Sequence, residues 1–161
     1  VDGFRAVLIV QALLGAFDTV WYHEVHLGLA GRPACAREVR LHGLRALTYA
    51  GLFVAVATTH FRGPWVLLYG LPLAAELVLT LLDFAEEGRS RGPGLFPAGE
   101  RVTHLVMAVV HGGLWVLLLR SAADPAGFAL AEPTVAGGFL VLAALGALGS
   151  GIRDLWAAGV Q

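Results

Sequence analysis

A carboxylate and an imidazole four residues apart occur twice in this chain. Glu38 and His42 stand in Glu-Val-Arg-Leu-His, and Glu100 and His104 stand in Glu-Arg-Val-Thr-His. Four apart on a helix is one face, so each pair offers an acid and an imidazole in the same direction. Each pair opens a long apolar stretch, and each follows a stretch that ends in further polar groups. Asp18, His23 and Glu24 precede the first pair; Asp83, Glu86 and Glu87 precede the second. Carboxylates gathered this densely repel one another unless they are protonated or bound to cations. Two metal ions between the helices would remove that repulsion. The expected ligand set is therefore Asp18, His23, Glu24, Glu38, His42, Asp83, Glu86, Glu87, Glu100 and His104. Mixed carboxylate and imidazole without thiolate suits iron, manganese or zinc, and the excess of acids favours iron. Cys35 is the single cysteine, which excludes an internal disulfide and a Cys-rich metal or iron–sulfur site.

Taken singly, these residues have plainer uses. Glu38 and Glu100 are first-turn acids of the kind the helix dipole favours, and either His alone would serve as a hydrogen-bonded interface residue. Glu24, His26, Glu86 and Glu87 would be solvated, and Trp21, Tyr22, Trp65, Trp115 and Trp156 would anchor span ends at the membrane surface. It is the doubling of the Glu/His pair, opposite two helices bearing Asp, that points to metal. Soluble di-iron bundles use Glu-x-x-His. Here the spacing is one residue longer and serves the same face. Deeper in the apolar stretches lie Tyr49, Glu76 and His111. They would form a proton path or the polar end of a substrate pocket, or simply a hydrogen bond between helices.

The elements that must position these groups are membrane spans. Of the 161 residues, 57% are hydrophobic and 14% charged, and a span needs about 20 apolar residues. Five stretches qualify, at about 4–27, 36–60, 64–87, 99–120 and 133–157. The expected fold is all-α: a polytopic membrane helical bundle of about five transmembrane helices. All 11 basic residues are Arg. Arg32, Arg37, Arg40, Arg45, Arg89, Arg91, Arg101 and Arg153 fall on one side of the spans, against Arg5, Arg62 and Arg120 on the other. That asymmetry puts the first group in the cytoplasm, with the N-terminus outside, the C-terminus inside and the acidic cluster at the cytoplasmic face of a bacterial inner membrane. A net charge of -1 argues against nucleic acid as a partner.

The first four spans look like two copies of one hairpin. When Asp18 is aligned with Asp83, Gln11 falls on Glu76, Glu38 on Glu100, His42 on His104 and Tyr49 on His111. The chain then divides into a first hairpin (1–62), a second (63–122) and an additional C-terminal helix (123–161). Together they form one membrane domain with a four-helix core. Gly31-Arg32-Pro33, Arg62-Gly63-Pro64, the Gly- and Pro-rich run from Gly88 to Gly99, Asp124-Pro125 and Glu132-Pro133 punctuate the loops. Gly137, Gly138, Gly146, Gly149 and Gly151 give the last helix a small-residue face for close packing or for homo-oligomer contact.

Four blocks carry a resemblance: Phe17-Asp18-Thr19 with His23-Glu24, Glu38 to Arg45, Asp83-Phe-Ala-Glu86-Glu87, and Glu100 to His104. On these the chain resembles a group of small uncharacterised bacterial integral membrane proteins, over the first four helices. That resemblance implies no activity. The six His are dispersed, unlike the clustered His boxes of membrane desaturases and hydroxylases. The expected function is a dinuclear metal protein of the membrane, a di-iron oxidoreductase acting on a lipophilic substrate or on oxygen. A di-zinc hydrolase, a b-type haem cytochrome ligated by His42 and His104, and a metal-ion or proton-coupled transporter are the other classes the residues allow.

Overall fold

The structure, a computed structural model, describes residues 2–92 and 96–160. Five long helices carry the chain: α1 (Asp2–Phe17), α2 (Ala36–Thr58), α3 (Leu67–Ser90), α4 (Ala98–Ala122) and α5 (Val135–Gly159). Each lies in a helical stretch long and apolar enough to cross a membrane, and these stretches run over Gly3–His26, Pro33–Thr58, Gly63–Ser90, Ala98–Ala122 and Val135–Gly159. The stretch holding α1 reaches His26 because its last nine residues, Asp18–His26, continue it as a π-helix. That wider winding is rare and is found mostly at functional positions.

The stops follow from local chemistry. Gly28 takes φ 59°, a left-handed conformation that ends the π-helical segment. Pro33 opens a short 3₁₀ turn before α2, Pro97 precedes α4, and the Thr134 hydroxyl caps α5 by accepting from the Gly137 amide at 3.0 Å. The third helix runs to Ser90, past the expected end at 87, because Glu87 accepts the Arg91 amide and closes one more turn. Of the run from Gly88 to Gly99 read as punctuation, residues 93–95 lie outside the described residues.

The packing order differs from the order along the chain. α1 packs on α4, α3 on α2, and α5 lies along α2 and also reaches α1. The last helix is thus built into the bundle rather than set beside a four-helix core. Gly43 of α2 and Gly151 of α5 make the closest crossing. A Cβ on Gly151 would fall 2.9 Å from the Gly43 carbonyl oxygen, and one on Gly43 would fall 3.0 Å from the Gly151 carbonyl oxygen. A Cβ on Gly137 would lie 3.5 Å from the Ala57 carbonyl oxygen, whereas Gly138, Gly146 and Gly149 have open space where a Cβ would stand.

Two short strands were not expected from the sequence. β1 (Thr59–Arg62) pairs antiparallel with β2 (Gly127–Leu130), tying the loop after α2 to the loop before α5. Gly63 makes the turn possible: it has φ 58°, and a Cβ there would lie 2.7 Å from the Asp124 carbonyl oxygen. At this end of the molecule the interior is apolar, formed by Leu8, Leu52, Val56, Leu73, Leu114, Leu118 and Leu140 among others. At the opposite end it is polar. The outward faces carry large apolar side chains, with Leu71, Leu105, Val109, Leu142 and Trp156 all more than half exposed.

Candidate metal centre

The π-helical segment decides how α1 meets the site. Asp18 and His23 are five apart, a spacing that an α-helix would splay by more than a quarter turn and that a π-helix, with its i to i+5 bonding, brings back onto one side. Both side chains are buried. The first two turns of α4 supply Glu100 and His104, also buried and also on one face. His104 Nε2 is 3.1 Å from Asp18 Oδ2, and His23 Nε2 is 3.5 Å from Asp18 Oδ2 and 3.4 Å from Glu100 Oε1. One ligating atom from each of these four residues lies within 4.8 Å of the others.

The 3.1 Å contact is a hydrogen bond as it stands, and all three separations also match those of neighbouring ligand atoms around one ion. A bond of about 2.0–2.2 Å from an ion to nitrogen or oxygen places neighbouring ligand atoms roughly 2.8–3.6 Å apart, between octahedral and tetrahedral limits. Asp18 Oδ1, His23 Nε2 and Glu100 Oε2 are buried with no hydrogen-bond partner. Buried polar atoms are normally paired, so three orphans on one cluster call for a missing partner. The residues therefore fit a metal ion. His104 turns Nε2 into the cluster and faces Glu87 with Nδ1, at 3.8 Å. At that distance there is no hydrogen bond, and Glu87 Oε1 is itself buried without a hydrogen-bond partner. Phe84 stacks on the other side of that ring, 5.0 Å between centroids.

Charge makes the same point. Asp18, Glu38, Glu87 and Glu100 share this buried end with one guanidinium, that of Arg91. Arg91 donates through Nε to Glu38 Oε1 at 2.8 Å and through Nη1 to Glu100 Oε1 at 2.7 Å, and Nη2 makes a further short contact with Glu38. Its side chain has no exposed surface. Burial alone would favour the neutral form, but the Glu38 and Glu100 carboxylates outweigh it and hold the guanidinium above its already high ordinary value. Glu38, whose second oxygen accepts from Ser90 at 2.6 Å, is spent on this network. So the repeated Glu/His motif is divided: Glu100 and His104 join the four-residue cluster, while Glu38 holds a guanidinium.

His42 is beside the cluster without being in it. Its ring centroid lies 4.4 Å from that of His23. Nδ1 is 2.9 Å from Asp154 Oδ2 of α5 and Nε2 is 3.3 Å from the Thr19 hydroxyl. Both ring nitrogens are engaged by polar partners. Asp83 is held elsewhere too. Arg45 Nη1 donates to it at 2.7 Å, while Arg45 Nη2 donates to Glu76 at 3.2 Å. Glu86 pairs with Arg37 and Arg89 near the surface, and the half-exposed Glu24 pairs with Arg153 at 2.5 Å.

The deeper residues form a chain of polar contacts. Glu76 lies 3.1 Å from His111 Nδ1 and accepts from the Thr80 hydroxyl at 2.6 Å. The Tyr49 hydroxyl is 3.5 Å from the same His111 nitrogen and accepts from Gln11 Nε2 at 2.9 Å. Trp115 donates to His111 Nε2 at 3.1 Å. Arg91 bridges Glu38 and Glu100, and Tyr49 contacts His111, across the bundle.

No protein-family model, curated protein or solved structure matches the chain. The site is therefore read from its own geometry. Sequence reasoning missed three of its parts. Arg91 and Arg45 neutralise acids from within the bundle. Asp154 of α5 pairs with His42. The one signal available for Arg45 and Asp83 was equal depth on neighbouring spans; Arg91 had none, since a Ser-Arg-Gly run after a helix normally points to solvent.

Proposed function

We propose that this chain is an integral-membrane metalloprotein that holds one redox-active ion, iron, at Asp18, His23, Glu100 and His104, and acts as an oxidoreductase on a lipophilic substrate. The observation that carries this reading is the buried cluster of four nitrogen and oxygen ligands in which three residues keep an unpartnered polar atom. The reading is of one ion instead of the expected pair, because the Arg91 guanidinium supplies the positive charge between Glu38 and Glu100 that a second ion would bring. Two imidazoles with two carboxylates are a ligand set for non-haem iron, and a six-coordinate ion held by four side chains keeps positions for a substrate or for oxygen. Iron would supply one-electron and oxygen chemistry there. The protein's own residues would hold the ion and keep bulk water from the ligands.

Length and apolarity of five helical stretches and the apolar outer faces support membrane insertion. The Arg asymmetry favours an outside N-terminus and a metal centre on the cytoplasmic side. Zinc is the second reading. Four protein ligands would then close the site as a structural one.

Elemental analysis of protein purified in detergent, alongside His104→Ala, decides between these readings. About one iron per chain that disappears in the variant supports the oxidoreductase. Stoichiometric zinc favours the structural site. Metal-free protein from cells grown with ample iron and zinc would overturn both.

A further inference from the structure

Asp154 Oδ2 of α5 lies 2.9 Å from His42 Nδ1, and His42 Nε2 lies 3.3 Å from the Thr19 hydroxyl. A carboxylate oxygen accepts, so Nδ1 carries the hydrogen and donates it. The neutral ring then presents Nε2 as an acceptor for the Thr19 O–H. A hydroxyl on an imidazole that a carboxylate orients from the other side is the arrangement of an activated nucleophile, on whatever fold it stands. The three residues come from the π-helical segment, α2 and α5, and none of them belongs to the four-ligand cluster.

Joining three helices needs no open space in front of the hydroxyl, yet space is there. A cavity of about 600 Å³ opens between α1, α2 and α5, and Thr19 and His42 both line it. Its volume is that of a small-molecule site. Thr19 is half-buried rather than sealed off. The outer wall contains Leu13, Val20 and Leu142, each more than half exposed on the apolar outer face. A molecule therefore reaches Thr19 from the hydrocarbon rather than from water, and must itself be lipophilic. Arg153, whose side chain is 42% exposed, adds a guanidinium to the same wall. A fixed cation there favours the oxygen that turns negative when a carbonyl is attacked.

We propose that Thr19 is the nucleophile of an acyl-transfer site for esters of lipophilic acyl chains, with His42 as general base and Asp154 as the residue that positions it. Thr19 Oγ bonds to the ester carbonyl carbon while its proton passes to His42 Nε2. The carbon–oxygen bond to the alcohol breaks with its electron pair on that oxygen, and the alcohol leaves with the proton from His42. Water then attacks the Thr19 ester in the same way, giving its proton to His42. The free acid departs and the Thr19 hydroxyl regains its proton. This activity goes beyond the metalloprotein reading, because it uses none of the four ligands.

The test is covalent labelling of the purified protein in nanodiscs by a long-chain alkyl fluorophosphonate, followed by intact mass and peptide mapping. One adduct per chain, on Thr19, is expected. Thr19→Val, which keeps the shape and loses the hydroxyl, should not label, and Thr19→Ser should label again. His42→Phe should slow labelling at least about a hundredfold, the loss expected when a general base is removed. Asp154→Asn should slow it at least about tenfold, by releasing the ring from its tautomer. Gly146→Leu puts a side chain into open space on the cavity wall and should slow the long-chain probe about tenfold or more. Should His42→Phe fail to fold, the contrast between Thr19→Val and Thr19→Ser and the rate in Asp154→Asn carry the test. No adduct on Thr19, or an undiminished rate in folded His42→Phe or Asp154→Asn, overturns the proposal. Metal content is measured on the same samples. Metal without labelling removes the acyl-transfer site alone, whereas labelling of metal-free protein removes the metal reading and leaves this site.

Discussion

His104 Nε2 lies 3.1 Å from Asp18 Oδ2, which joins the first two turns of α4 to the π-helical end of the first span. Neither residue has another group at that distance from the same atom, and both belong to the cluster of four. Asp18→Ala and His104→Ala are each expected to lower bound metal from about one ion per chain to below about one-tenth, as expected when one of four ligands is lost. Glu24→Gln and Glu86→Gln, whose carboxylates pair with surface Arg residues, should retain it. Mass-spectrometric metal analysis of the four purified variants checks this, and metal retained in Asp18→Ala would count against the site.

Arg91 is a structural cation. Replacing it by Gln leaves Glu38 and Glu100 buried without their partner, and breaking a buried ion pair from one side costs about 3–5 kcal/mol. Arg91→Gln should therefore lower the thermal unfolding midpoint in detergent by many degrees. The double variant Arg91→Gln with Glu38→Gln should recover part of the loss, because one stranded charge is gone. An undiminished midpoint in the single variant would show that the pair contributes little.

Gly99 is required by its neighbour. A Cβ at this position would stand 2.3 Å from the Tyr22 hydroxyl. Tyr22 precedes His23 and Gly99 precedes Glu100, so Gly99→Ala should displace one ligand from each helix and weaken metal binding about tenfold or more. Removing the hydroxyl leaves the nearest ring carbon at 3.3 Å. Tyr22→Phe should then rescue Gly99→Ala, as read by metal titration of both proteins.

The α2–α5 crossing can be perturbed without touching a ligand. Gly151→Val puts side-chain atoms where Gly43 and Leu47 already pack, within 3.0 Å. Overpacking of this kind costs about 1–3 kcal/mol. Stability in detergent should fall accordingly, while metal content stays near its unaltered value because α5 contributes none of the four ligands. Loss of metal in a folded Gly151→Val protein would mean that α5 positions the centre through Asp154 and His42.

The helical class of the fold and the number of long apolar helices were legible in the sequence. Both follow from runs of Leu, Ala and Val whose length is a local property, and from Gly and Pro at the breaks. The ends were less so: the third helix gains a turn past 87 because Glu87 accepts the Arg91 amide, a contact no run of apolar residues reveals. The β1–β2 pairing was illegible for a related reason, since Thr59–Arg62 and Gly127–Leu130 are short, lie far apart in the chain and need the left-handed Gly63 between them and Asp124.

For the site, the sequence by itself determined which residue types stand near one end of the spans and that Glu100 shares a helical face with His104. Helical periodicity is enough for that. Only the tertiary structure decided which of ten candidate ligands converge. Glu38 and Glu100 each stand four residues before a His, yet one holds Arg91 chiefly and the other also faces His23. Asp18 and Asp83 are both buried acids, yet one meets His104 and the other Arg45. Side-chain direction along a helix is set locally, but the charge that neutralises an acid comes from whichever neighbouring helix packs against it. The packing of α1 on α4 and α3 on α2, with α5 built in beside α2, is a property of the folded chain.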